Sequence, residues 1–149
     1  MPRIVIADTS CLIILQKINR LNILKELFEE ICITKEIADE FGDTLPKWIS
    51  QKTIIDFTKQ RIVQLDLDKG EASAIVLGLE NKNSLLLIDE KKGRKKALEL
   101  GLKIMGTLGV LIKAKEQNII NSLLDEIEKL KEAEIRMSER VVEEILKKY

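Results

Sequence analysis

Two carboxylates directly follow apolar segments and could do chemistry together. Asp8 follows the run IVIA (4–7), and Asp89 follows the run SLLLI (84–88). Continuous apolar runs of this length are typical of strands buried on both faces of a parallel sheet. Ligands bind at the carboxyl ends of such strands. If the two strands are neighbours, Asp8 and Asp89 face the same crevice.

Other acids could join this pair. Glu71 lies in the first turn of the predicted helix 68–81, and one of Glu36, Asp39 and Glu40 could approach from the segment KEIADEF. Each acid also has a structural alternative, because carboxylates after strands often cap helices, Asp68 and Glu71 fit a capping box, and helix acids are often solvated. Taken together, clustered like charges destabilise a fold unless a cation neutralises them. Oxygen ligands alone suit Mg²⁺ or Mn²⁺.

The composition excludes several kinds of chemistry. There is no histidine among the 149 residues, so Ser-His-Asp, Cys-His and histidine-pair mechanisms and a histidine-ligated zinc are excluded. Cys11 and Cys32 lie far apart in apolar surroundings, and we expect two reduced core thiols.

The basic run KKGRKK (91–96) directly follows Asp89 and Glu90. Lys and Arg number 25, as do Asp and Glu, so any nucleic-acid binding must come from a local patch such as this one. The alternative is a solvated helix face. Aromatic residues make up only 3% of the chain, so contact with nucleic acid should be mainly electrostatic.

The alternation of strands and helices predicts a single α/β domain, 1–149, around a parallel sheet. Further strands are expected at ICI (31–33) and KIMG (103–106), a short helix at LPKWIS (45–50), and an edge strand or extended link at IVQL (62–65). Two amphipathic helices are expected within about 118–149. No apolar run approaches about 18 residues, so we expect no membrane segment and a cytoplasmic location.

The chain resembles the PIN-domain family, especially the archaeal and bacterial branch related to VapC-type toxins. The resemblance rests on the ordered segments IVIADTS, ITKEIADEF, LDKGEASAIVLGLE, LLLIDEKKGR and LGLKIMGTLGVLIKAK. It implies a three-layer α/β/α fold and a metal-dependent ribonuclease that cuts single-stranded RNA. It also implies an acidic quartet, which by position is Asp8, Glu40, Glu71 and Asp89.

The same resemblance suggests supporting residues and partners. Ser10 and Thr107 match positions that often orient the site, and Lys91, Lys92 and Arg94 would steer the RNA backbone. A homodimer and an antitoxin partner are expected from the family. Two other functions stay open from the sequence: a PIN-like scaffold that binds RNA or protein without cutting, and a receiver-like domain phosphorylated on Asp89.

Overall fold

The computed structural model describes residues 4–149. Within this range the chain forms five strands and nine helices. The strands are β1 (Ile4–Ala7), β2 (Ile31–Ile33), β3 (Ile49–Gln51), β4 (Ser84–Leu87) and β5 (Lys103–Met105). The helices are α1 (Thr9–Lys17), α2 (Asn22–Leu27), α3 (Lys35–Phe41), α4 (Phe57–Val63), α5 (Lys69–Glu80), α6 (Lys91–Glu99), α7 (Thr107–Glu116), α8 (Leu123–Glu132) and α9 (Glu139–Lys148).

The strands form one parallel sheet in the order β3-β2-β1-β4-β5. The chain therefore runs outward from β1 to β3 and then crosses back to β4 on the other side of β1. Because crossovers between parallel strands are right-handed, the helices of the outward connections and the helices of the connections that lead back to β4 and β5 lie on opposite faces of the sheet. The result is the expected α/β architecture, and the switch point of the topology lies between β1 and β4.

Most predicted elements are confirmed, and residues close in sequence define the helix ends. The Thr34 hydroxyl accepts a hydrogen bond from Ile37 N (3.2 Å) at the start of α3, and Gly42 ends that helix with φ 68°. The Asp68 carboxylate accepts one from Glu71 N (2.8 Å) at the start of α5. Local sequence signals determine these ends, because a cap needs only residues within one turn.

Two predictions between residues 45 and 65 were wrong. No helix forms at LPKWIS: Pro46 lies in a turn, and Ile49–Gln51 is instead the edge strand that pairs with β2. IVQL is not extended, because Ile62 and Val63 end α4. The carboxylate of Glu80 accepts hydrogen bonds from the backbone N–H groups of Ile55 and Asp56 just before α4. This partner lies more than twenty residues away and is invisible to local patterns.

The core is built from aliphatic side chains on both faces of the sheet. Cys11 and Cys32 are buried free thiols, as expected, and burial raises their pKa values to about 12 and about 11. The last two helices pack on the rest of the chain through residues such as Ile127, Leu130, Val142 and Ile145. Among the described residues, no helix is long and apolar enough to span a membrane.

Candidate active site

The switch point places Asp8 and Asp89 at adjacent strand ends. β1 and β4 pair over their full lengths, with Ala7 opposite Leu87. The backbone continues this pairing, since Asp8 N donates to Leu87 O (2.9 Å). The condition set by the sequence, that the two apolar strands be neighbours, is therefore met.

Asp8 is a buried carboxylate that forms no ion pair with any of residues 4–149. It occupies the N-cap position of α1, yet its side chain makes no capping hydrogen bond. The residue is 3% exposed, and its Oδ1 has no hydrogen-bond partner. Burial raises the pKa of Asp8 to about 7, the Thr9 backbone N–H lowers it in part, and the charges of Asp68, Glu40 and Asp89 raise it further.

Glu71 is also a buried carboxylate with an oxygen that has no hydrogen-bond partner. It is 5% exposed, and its Oε2 has no hydrogen-bond partner. Burial raises its pKa to about 8, helped by a hydrogen bond to the Asp68 side chain and by the charges of Asp68, Asp8 and Glu90. The side chain reaches over to α6, where a Cβ on Gly93 would lie 2.7 Å from Oε2. The Glu71 side chain thus points into the protein interior, and its role is not limited to capping the start of α5.

Glu40 is the acid of the KEIADEF segment that approaches the centre. The Thr9 hydroxyl donates to its Oε2 (2.9 Å), which ties α3 to α1. Its carboxylate lies directly over Gly70 at the start of α5, where a Cβ would clash with it. Glu36 lines a different hollow beside α4. Asp39 and Glu40 are both exposed, and the contacts with Thr9 and Gly70 distinguish Glu40.

Asp89 is held firmly from α7. Thr107 donates to it twice, from its backbone N to Oδ1 (2.8 Å) and from its hydroxyl to Oδ2 (2.6 Å). This places the carboxylate at the N-terminus of a ten-residue helix, where the helix dipole stabilises negative charge. Asp89 is therefore a fixed anion at the edge of the cluster.

The predicted substrate-binding residues separate in space. Arg94 donates from Nη1 to Ile88 O (2.8 Å) and shares a hollow with Asp89. Lys92 lines a different hollow, together with Lys95 and Lys96 of the same helix. Lys91 is exposed at the first turn of α6. Of the two predicted orienting residues, Thr107 binds Asp89, whereas the hydroxyl of Ser10 is buried without a partner.

The donor chemistry fits a hard divalent cation. Asp8 and Glu71 offer unpartnered buried oxygens, and the neighbouring charges that shift their pKa values are those of other acids. Within residues 4–149 no three His, Cys, Asp or Glu residues are drawn together closely enough to hold a metal directly. Mg²⁺ is usually bound through one or two carboxylates and keeps several waters, so such a group is not required.

Sequence reasoning missed several contributors. Thr9 was not recognised as the partner of Glu40, nor Asp68 and Glu90 as charges beside Glu71. Gly70 and Gly106 were also missed, although each leaves space for a carboxylate. The only available signal was their position next to candidate residues, Glu71 in KGEA and Thr107 in MGTLG.

A comparison with protein families identifies the family of the chain. A family model described as DUF3368, PIN domain, matches residues 4–149, so the chain belongs to the PIN-domain family. PIN domains are commonly nucleases, a class of hydrolases, and generally use divalent metal ions. The relation to the VapC-type branch stays a prediction. No curated protein matches the chain.

Proposed function

We propose that this PIN domain is a metal-dependent ribonuclease that cuts single-stranded RNA internally, using Mg²⁺ or Mn²⁺. The observation that carries the proposal is the pair Asp8 and Glu71. Both are buried at the switch point of the sheet, both have an oxygen without a partner, and neither has a cation beside it. Such a pair is costly to the fold unless an ion from outside neutralises it.

In this proposal Asp8 and Asp89 bind the ion, and Glu71 and Glu40 complete the site directly or through water. When bound, the ion lowers the pKa of its water and neutralises charge that develops on the phosphate. Thr107 keeps both oxygens of Asp89 oriented, and Thr9 does the same for Glu40. The side chains need not supply a general base, which agrees with the absence of histidine.

The RNA backbone would meet cations beside this centre. Arg94 is fixed next to Asp89, while Lys91 and Lys92 extend from the first turn of α6. Because phosphate contacts carry no base information, these residues would position the strand without choosing its sequence. With no excess of positive charge over the whole chain, binding should depend on this patch and weaken with salt.

The biological setting is part of the same proposal. We infer a toxin or toxin-like role in the cytoplasm, with an antitoxin protein and a second copy of the chain as partners. The support is the sequence resemblance alone. A scaffold that binds RNA or protein without cutting is the competing function, and the lack of a preassembled three-carboxylate group in residues 4–149 favours it.

The test is cleavage of single-stranded RNA by the purified protein in Mg²⁺, in Mn²⁺ and in EDTA. We expect cleavage only with metal, reduced at least about 100-fold in Asp8→Asn, since even indirect metal partners cost 10–100-fold in affinity or activity. Glu36→Gln is the matched control, because it removes a carboxylate that lies only one turn from Glu40 but lines a different hollow.

The outcomes separate the two functions. Cleavage that needs metal and Asp8, and survives Glu36→Gln, supports the ribonuclease. RNA binding without cleavage, equal in Asp8→Asn and in EDTA, supports the scaffold. Cleavage that is unchanged in an Asp8→Asn, Asp89→Asn double variant would show that the acidic cluster is not the active site.

A further inference from the structure

A hollow of about 660 Å³ lies between α7 and α9 and opens beside Asp89. We call it the α7–α9 hollow. Its lining comes from β5, α6, α7 and α9, and its volume is in the range of about 300–1,000 Å³ that is usual for small-molecule sites. One of its ends is formed by Asp89 and Arg94, so it is continuous with the candidate active site.

That end combines an anion and an available cation. Thr107 occupies both oxygens of Asp89, and Arg94 is anchored by a single bond from Nη1 to Ile88 O. Within residues 4–149, no carboxylate lies within ion-pairing distance of Arg94. A Cβ on Gly106 would lie 2.9 Å from both Asp89 Oδ1 and Arg94 Nη1, so the glycine keeps the gap between them open.

The walls of the hollow are apolar, with polar groups at the edges. Ile104, Leu108 and Ile112 form one apolar side, and Val141 and Ile145 of α9 form the other. Polar groups lie at the edges: Lys148 beside the Tyr149 ring (5.5 Å), and Tyr149 donating to Glu116 (2.9 Å). Apolar faces with a few polar groups at the rim match a nucleobase, whose faces are apolar and whose edges form hydrogen bonds.

We propose that the α7–α9 hollow binds the nucleotide next to the scissile phosphate, with its base between Ile112 and α9 and its phosphate at Arg94. The proposal rests on the proposed ribonuclease function, because Asp89 belongs to both sites. α9 is then one wall of a substrate subsite. Its residues, rather than the basic run of α6, would determine which base is preferred at the cut.

The first test is direct binding, which does not depend on cleavage. Each of the four ribonucleoside 5′-monophosphates is titrated into the full chain while the isoleucine δ1-methyl NMR signals are followed. We expect shifts at the three isoleucines of the hollow, Ile104, Ile112 and Ile145. The buried Ile37 and the exposed Ile62 lie on other elements and should not move.

The second test uses two neighbouring lysines of α9. Lys148 lines the hollow, whereas Lys147 does not, and both side chains are exposed, so neither change should unfold the protein. Lys148→Glu should weaken nucleotide binding and raise KM for RNA cleavage about fivefold, as expected for a partly exposed ionic contact, with kcat nearly unchanged. Lys147→Glu makes the same charge change and should alter both by less than about twofold.

The outcomes distinguish this inference from the proposed function. Methyl shifts confined to the hollow, with a difference between Lys148→Glu and Lys147→Glu, support the inference. RNA cleavage with no shift in the hollow and equal effects of the two lysine variants would overturn it and leave the ribonuclease standing. Nucleotide binding in the hollow without any RNA cleavage would retain the nucleotide site and overturn the ribonuclease.

Discussion

Asp8 and Glu126 are carboxylates of nearly equal burial, 3% and 2% exposed, in opposite electrostatic surroundings. Glu126 of α8 accepts hydrogen bonds from Arg20 and from Lys129. Burial opposes its ionisation, but these bonds outweigh burial and its pKa is lowered. Asp8 has only further acids around it, and its pKa is raised.

The difference separates a structural carboxylate from a candidate ligand. The chain supplies the cations for Glu126 and thereby ties the α1–α2 turn to α8. For Asp8 the described part of the chain, residues 4–149, supplies none, and in the proposed function the cation would come from solution. Burial alone therefore says little about the role of an acid, whereas its nearest charges say much.

The largest effect should be a pH-dependent gain in stability of Asp8→Asn without metal. The pKa of Asp8 in the folded protein is about 7, above its usual 3.8. The stability that protonated Asp8 contributes to the fold is therefore fully present below about pH 4 and is lost as the pH rises through 7. Urea unfolding in EDTA should show the variant more stable by roughly 3 kcal/mol at pH 9 and by little at pH 4. A variant that is equally or less stable at pH 9 would contradict an uncompensated Asp8.

Magnesium should remove this destabilisation in the wild type. At about 100 times its Kd, the ion should raise the free energy of unfolding by about 2.7 kcal/mol, because it binds the folded chain alone. Thermal unfolding with and without Mg²⁺ measures this gain. It should vanish in Asp8→Asn and persist in Glu126→Gln; an equal gain in both variants would place the ion elsewhere.

Glu126→Gln should have the opposite sign from Asp8→Asn. Removing the charge leaves Arg20 and Lys129 without their partner, and we expect a loss of about 1–3 kcal/mol at pH 7. The loss should shrink as the pH falls below the ordinary pKa of 4.5 and through the lowered folded pKa of Glu126. Denaturant unfolding at pH 7 and pH 3, with RNA cleavage as a parallel readout, checks this. A large loss of cleavage in a folded Glu126→Gln variant would contradict a purely structural role for Glu126.

The smallest effect on stability should come from Gly70→Ala, which tests the space reserved for Glu40. The new Cβ would clash with the Glu40 carboxylate, whose flexible end can move away from Thr9. Alanine also favours the helix by up to about 1 kcal/mol, so unfolding should change by about that amount or less. Metal-dependent cleavage should fall about tenfold, as for loss of a supporting group. Gly78→Ala in the same helix, where the nearest atoms are those of Leu102 (3.2 Å), is the control.

Much of the fold follows from local patterns. The apolar runs at β1, β2 and β4 and the capping box of Asp68 and Glu71 predict their elements, because strand burial and capping involve residues close in sequence. The segment 45–65 does not, because β3 exists through its pairing with β2 and the start of α4 through Glu80.

The candidate site shows the same division. Asp8 and Asp89 stand out in sequence because each ends an apolar run, and Glu71 because it follows Asp68 by three residues. The choice among Glu36, Asp39 and Glu40 could not be made from spacing, since all three fit the same helix, and the prediction of Glu40 rested on the family resemblance. The Thr9 hydroxyl and the space over Gly70 distinguish Glu40 by position, while the catalytic roles of the four acids stay predictions.

By itself, the sequence determined most element types outside residues 45–65, the parallel α/β class and the exclusion of histidine chemistry, because these depend on composition and short-range periodicity. Only the tertiary structure decided which acids meet, which basic residue lies beside them and that α9 walls a hollow at Asp89. It also decided that Glu126 pairs with Arg20 and Lys129, whereas Asp8 forms no ion pair within the described part of the chain. The reason is physical: the energy of a buried charge depends on neighbours in space, which the chain brings together only when it folds.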